Sequence, residues 1–279
     1  MPTEPTDPQR VEQLDALAHP QRLALFRLLV RRYPDEVPAG ELAQALEVRQ
    51  NTLSSYLSSL RHAGLIEQTR MGRSLLYRVR MDQTGGLMSY LFADCCRGRP
   101  ELCPPSASET ARSEPKYNVL FVCAGNSARS LFAESILRTE GGDRFNAHSA
   151  GTQPRSTPHP LAIELLADRG HDIAPLRSKT VAAFRATDAP AMDFVFTVCD
   201  RAANEECPAW PDQPLTAHWG VPDPVAVTGP DPERRRAFAD AYAALERRIQ
   251  GLVDLPIETL DRASLQRRLD TLALTQEPQ

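Results

Sequence analysis

The chain has 279 residues, of which 42% are hydrophobic and 24% charged, the proportions of a water-soluble globular protein with room for two ordinary cores. Its longest nearly apolar runs, such as Leu23 to Val30, are broken by arginine well short of a membrane span, and the opening Met-Pro-Thr-Glu-Pro-Thr-Asp-Pro has neither a basic nor an apolar leader region, so a cytoplasmic protein with no membrane partner is expected. The net charge of -4 conceals an asymmetry: residues 1–103 carry 13 arginines, no lysine and 12 acidic residues, while residues 104–279 carry 19 basic and 24 acidic ones.

Apolar spacing predicts a helix from about Val11 to Ala18 and a second from Gln21 to Arg32, started by Pro20. A short helix from Ala39 to Leu46, a break at Glu47-Val48-Arg49 and a longer helix from Gln50 to His62 ended by Gly64 then give helix-turn-helix geometry. Leu65 to Arg70 and Ser74 to Arg80 alternate as two strands about Met71-Gly72-Arg73, a basic wing. Residues 49–80 hold six arginines against Glu67 alone, which suits a phosphate backbone. Gln50, Asn51, Thr52, Ser54 and Ser55 open the second helix, where base edges would be read, and Arg73 can reach the backbone or minor groove. Among these first-turn residues Thr52 and Leu53 are expected to be partly structural. A last helix, about Gln83 to Cys96, puts Leu87, Tyr90 and Leu91 on one face, and this apolar surplus predicts a homodimer through the N-terminal domain.

Leu17-Ala18-His19-Pro20-Gln21-Arg22-Leu23, Glu41-Leu42-Ala43 and Leu60-Arg61-His62-Ala63-Gly64-Leu65-Ile66 resemble the ArsR/SmtB family of winged-helix repressors over roughly residues 10–96. The resemblance implies a homodimer that binds operator DNA and leaves it when a thiophilic metal or metalloid ion binds. Many members carry a Cys-x-Cys pair before the recognition helix, whereas this chain has no cysteine between Glu41 and His62. Cys95, Cys96 and Cys103 are the expected substitute, three soft thiolates for As(III) or Sb(III) as inducer. Adjacent cysteines do not match zinc spacing. Pro100, Pro104, Pro105 and Pro115 mark Arg97 to Lys116 as a linker, so the expected division is 1–96, a DNA-binding and dimerisation domain, 97–116, a linker carrying part of the metalloid site, and 117–279, a second domain.

In that second domain, strands are expected near 118–123, 145–149, 193–198 and 215–219, with helices near 128–140, 159–168, 179–185 and 232–250. The fold class is therefore an α+β winged helix-turn-helix domain followed by an α/β domain with a parallel four-stranded sheet. Thr259 to Leu274 is helical by pattern, with no assigned role. Val119-Leu120-Phe121-Val122-Cys123 runs into Ala124, Gly125, Asn126, Ser127, Ala128, Arg129 and Ser130 before a helical pattern, a C-x5-R loop. Such a loop can wrap its backbone N–H groups round a tetrahedral oxyanion, with the helix dipole and the Arg129 fork completing the cradle. The donors that hold an oxyanion also stabilise a thiolate, so Cys123 is expected to be a nucleophile. Cys199 ends another strand, which brings both thiols to one edge of the sheet. Asp223, between Pro222 and Pro224 after a strand, is placed as a general acid.

Cys123 to Ser130, Ser149-Ala150-Gly151 and Asp223-Pro224 resemble the low-molecular-weight tyrosine phosphatase fold. Thr197-Val198-Cys199-Asp200, Cys207-Pro208 and His218-Trp219-Gly220 bring the chain closer to the thioredoxin-coupled arsenate reductases sharing that fold, across about residues 117–270. The resemblance implies arsenate as substrate, a relay from Cys123 through Cys199 to Cys207, thioredoxin as partner and no tightly bound organic cofactor. The eight-residue step between the last two thiols crosses a polar stretch, Asp200 to Glu206, expected to be a mobile loop. The resemblance also implies a K+ or other monovalent-cation site from Asn126, Glu134, Ser149 and Asp193. Two alternatives stay open: a tyrosine phosphatase fused to a DNA-binding domain, and a non-enzymatic transcription factor that senses an oxyanion or metalloid.

Overall fold

Two prolines set where the first helices start. In the computed structural model, which describes residues 7–95, 116–186, 188–205, 210 and 213–274, α1 (Pro8–Leu17) and α2 (Pro20–Arg32) each carry proline at the first position, where no N–H is needed. Asp7 Oδ1 accepts the Gln9 amide at 3.0 Å, and His19 Nδ1 accepts the Gln21 amide at 3.2 Å. The first helix thus begins before the expected Val11, because its cap and proline precede the apolar periodicity.

The chain divides into two compact units, Met1–Ser108 and Glu109–Gln279. In the first, α3 (Ala39–Ala45) and α4 (Gln50–His62) form the helix-turn-helix. Leu53, Leu57 and Leu60 face the core from α4, and full burial of each such side chain is worth about 1.5–3 kcal/mol. Gly64 at φ +71° ends α4: its N–H donates to Arg61 O and the Leu65 N–H to Leu60 O, both at 3.0 Å, a left-handed cap for which glycine is suited. A two-residue strand, β1 (Val37–Pro38), which the sequence pattern did not reveal, pairs with β3 (Ser74–Val79), itself the partner of β2 (Ile66–Met71), giving the order β1-β3-β2. Gly72 at φ +60° forms the first position of the two-residue turn at the wing tip. The last helix differs from expectation: α5 spans Met81–Tyr90 and passes into a π-helical turn over Leu91–Cys95.

The second unit is a parallel sheet of order β5-β4-β6-β7, built from β4 (Tyr117–Cys123), β5 (Phe145–Gly151), β6 (Phe194–Thr197) and β7 (Leu215–His218). The central β4 is buried from Asn118 to Cys123, as a strand covered on both faces must be. The helices α6 (Arg129–Glu140), α7 (Pro160–Asp168), α9 (Asp231–Val253) and α10 (Arg262–Ala273) cover it. The C-terminal helical pattern acquires a role here. Trp219, fully buried and stacked on Phe196 at 4.0 Å, donates its indole N–H to Leu269 O of α10 at 3.1 Å.

Two expectations for this unit are corrected. The stretch expected as a loop opens on a helix: α8 (Asp200–Asn204) is a short helix whose first turn is capped by Cys199 Sγ, 3.4 Å from the Ala202 amide, and Asp200 Oδ1 lies 3.1 Å from His218 Nε2. The expected helix over 179–185 is reduced to a 3-10 turn at Val181–Phe184. Residues 178–180 are instead extended, with Thr180 bridging Gly151 in parallel, because their backbone is claimed by the loop after β4.

Candidate active site

The loop between β4 and α6 is held from outside. Thr152, Gln153 and Arg155 donate their amides to the carbonyls of Cys123, Ala124 and Gly125 at 3.0, 2.9 and 2.9 Å, and His159 donates to Ser127 O at 2.8 Å. With its carbonyls turned outward and engaged, the loop turns its amides inward. Among the described residues the Gly125, Ser127 and Ala128 amides meet no acceptor, which leaves them for an anion at the α6 N-terminus. Gly151 passes so close that a Cβ there would lie 2.7 Å from Ala124 O, so only glycine allows this approach.

Cys123 is buried at the floor. Its Sγ accepts the Asn126 amide at 3.1 Å and lies 3.0 Å from Ser130 Oγ. Asn126 sits in the left-handed region at φ +42°, where asparagine is among the few side chains tolerated. The Arg129 guanidinium, 11% exposed, lies 3.1 Å from Asp223 Oδ2 and donates to Val221 O at 2.9 Å. Cys199 Sγ accepts the Ala124 amide at 3.3 Å, so the second thiol also rests on the loop. Its pKa is pushed up by burial and by the neighbouring Cys123, against a pull downward from Arg129 and from the amides of Ala202 and Ala124. Cys123, Arg129, Cys199 and Asp223 line one cleft of about 340 Å³. Cys207 lies outside the described residues.

Of the four residues expected to hold a cation, the structure brings three together: Asn126 Nδ2 donates to Ser149 Oγ at 2.9 Å, and Ser149 Oγ donates to a carboxylate oxygen of Glu134. Asp193 is elsewhere. It precedes β6 and accepts the Asn118 amide near the start of β4, the end of the sheet opposite Cys123. The residue that sequence reasoning missed is Lys179, whose Nζ lies 2.9 Å from Glu134 Oε2. Its neighbours in sequence read as a helix and concealed it.

In the first unit, Gln50, Asn51, Thr52, Ser54 and Ser55 are exposed on α4, and Arg73 is exposed at the wing tip. Leu53 is core, as expected, but Thr52 faces solvent rather than the interior. Cys95 is exposed at the end of the π-helical turn, while Cys96, Cys103 and the linker up to residue 115 lie outside the described residues.

Residues 118–268 match the family of low molecular weight phosphotyrosine protein phosphatases, and residues 17–69 match a helix-turn-helix domain. Among curated proteins, an arsenate reductase of Halalkalibacterium halodurans is 33% identical over 135 residues, 48% of this chain and 94% of that one. One of Bacillus subtilis is 32% identical over 120 residues, 43% of this chain and 83% of that one. Among solved structures, an arsenate reductase in an oxidized state is 27% identical with a TM-score of 0.41, covering 49% of this chain and 95% of that one. No helix among the described residues is long and apolar enough to cross a membrane.

Proposed function

The chain belongs to the low molecular weight phosphotyrosine protein phosphatase family, and from that membership we propose that its C-terminal domain is an arsenate reductase fused to a DNA-binding domain. One observation carries the reading: a second buried thiol, Cys199, rests on the oxyanion loop beside Cys123. Ester hydrolysis uses one thiol as nucleophile, whereas a two-electron reduction needs another to form a disulfide.

In the proposed reaction the loop amides and Arg129 hold arsenate while the Cys123 thiolate attacks arsenic(V), and Asp223 protonates the oxygen that leaves as water. Cys199 then attacks the Cys123 sulfur. The S–As bond breaks with its electron pair going to arsenic, giving arsenite and a Cys123–Cys199 disulfide. Cys207 attacks Cys199, frees Cys123 and leaves a Cys199–Cys207 disulfide for thioredoxin to reduce by exchange. Arsenate, thioredoxin, thioredoxin reductase and NADPH should together consume NADPH in step with arsenate. Faster turnover of an aryl phosphate, with no NADPH consumed, would establish the phosphatase alternative. Asp223→Asn should lower kcat by about 10²-fold with little change in arsenate binding, since it removes the proton donor and leaves the cradle in place. Rapid-quench measurement of arsenite checks this.

The N-terminal domain is proposed to be an ArsR-type repressor that leaves operator DNA when As(III) or Sb(III) binds Cys95, Cys96 and Cys103. The exposed polar residues of α4 and Arg73 at the wing support DNA contact. A homodimer through α1, α5 and the π-helical turn that follows it is supported by exposed Val11 and Leu14 on α1, Met81 and Met88 on α5 and Phe92 on the turn, the two helices packing together through Arg10 against Gly86. Operator affinity should fall steeply as salt rises, and Arg73→Ala should reduce the slope by about one unit while weakening all sequences alike. Fluorescence anisotropy across a salt series measures both.

A further inference from the structure

Glu134 is a carboxylate almost fully withdrawn from water, its side chain 5% exposed on α6. Such a group stays ionised only if opposite charge and hydrogen bonds replace its hydration. Arg138 reaches Oε1 from the more open side. Oε2 receives the Lys179 ammonium, itself only 15% exposed, and the hydroxyl of Ser149. His148 feels the same pair. Its pKa is lowered by burial, with Glu134 raising it and Lys179 and Arg138 lowering it, so it adds no charge here at neutral pH.

The hydrogen bonds that leave Glu134 have a fixed direction. Ser149 gives its proton to the carboxylate, so its oxygen accepts from Asn126 Nδ2 at 2.9 Å. The same amide nitrogen donates its other hydrogen to Ser130 Oγ at 2.8 Å. Ser130 Oγ is thereby an acceptor on that side, and its own hydrogen is free to point at Cys123 Sγ, 3.0 Å away. The Asn126 amide, fixed by its Oδ1 and by the Ser149 hydroxyl that Glu134 anchors, therefore leaves the Ser130 hydroxyl aimed at the sulfur, the orientation that stabilises a thiolate. Lys179 also grips the chain by its backbone. Its N–H donates to Asn126 Oδ1 at 2.6 Å, its carbonyl accepts from Gly151, and Ser178 Oγ donates to Asn126 O.

These residues do not fit the monovalent cation that the family resemblance implies. Asp193 sits at the other end of the sheet, and the place against Glu134 Oε2 is filled by an ammonium of the same charge as K+. A second cation there would meet like charge at contact distance. We propose that Lys179 is the resident cation of this network, a positioning residue that anchors Glu134 and, through Ser149 and Asn126, aims Ser130 at Cys123, so that activation of the thiol is indifferent to K+. This rests on Cys123 being the nucleophile of the proposed site, not on the identity of the substrate.

The test is the rate at which iodoacetamide alkylates Cys123 in the full chain, followed by peptide mass spectrometry in KCl, NaCl or choline chloride at equal ionic strength. Wild type should react equally in all three. Lys179→Met should react about tenfold more slowly at neutral pH, match wild type at alkaline pH where any thiol is ionised, and recover in part in KCl but not in choline chloride. Lys179→Arg should keep most of the reactivity. The proposal is overturned if wild type requires K+, or if Lys179→Met, with a melting temperature near that of wild type, keeps the wild-type pH profile. Should Lys179→Met fail to fold, the wild-type salt comparison and Lys179→Arg decide. Arsenate turnover is followed in parallel: a K+-indifferent thiol in a protein that does not reduce arsenate would remove the reductase reading and leave this one standing.

Discussion

Cys123→Ser is expected to lower arsenate reduction by at least about 10⁴-fold, because a serine hydroxyl in this position has no base to ionise it. The groups round Cys123 Sγ are donors or hydroxyls: the Asn126 amide and Ser130 Oγ. They favour a sulfur anion and do nothing to take a proton from an alcohol. The cradle itself survives the change, since its amides and Arg129 do not depend on the sulfur, so phosphate or arsenate should still bind the variant. Isothermal titration with phosphate, set against NADPH-coupled turnover, separates the two effects. Turnover within about tenfold of wild type would show that another group makes the first bond to arsenic.

Cys199→Ser should be nearly as damaging, by about 10³-fold or more in steady state, but it acts one step later. The variant should still form the Cys123–arsenic adduct in a single turnover and then fail to release arsenite. Quenched-flow analysis with mass spectrometry of the Cys123 peptide would detect the accumulated adduct. The wild-type enzyme carries a related pH signature. Burial raises the Cys199 pKa, so the neutral thiol predominates at neutral pH and its thiolate fraction grows with pH. Arsenite release in single turnovers should accelerate with rising pH until that titration is complete. A flat profile would place the slow step elsewhere.

Both sites owe their legibility to local signals. The bounds of α4 follow from its apolar stripe and from Gly64, and the oxyanion loop from an apolar strand ending in cysteine, five small or polar residues and an arginine. What escaped is held by distant partners. The strand Val37–Pro38 exists because Tyr77 and Leu76 pair with it, which two residues cannot announce. The short helix after Cys199 is capped by sulfur and tied to His218, neither of which is an ordinary helix-start signal. Residues 178–180 look helical in isolation, yet Asn126, more than fifty positions earlier, takes their hydrogen bonds. Asp193 has the right chemistry for a cation and the wrong end of the sheet, a distinction that strand pairing alone reveals.

Gly151 has a bearing on anyone who would reshape the pocket. A methyl group at that position collides with a main-chain oxygen, so the wall behind the loop admits no graded enlargement or polishing; it is either glycine or a broken cradle. Room for engineering lies at the rim instead, where Gln153, Arg155 and Val225 line the cleft without holding the loop by their side chains. Libraries aimed at bulkier oxyanions should vary those three and leave the floor as it is.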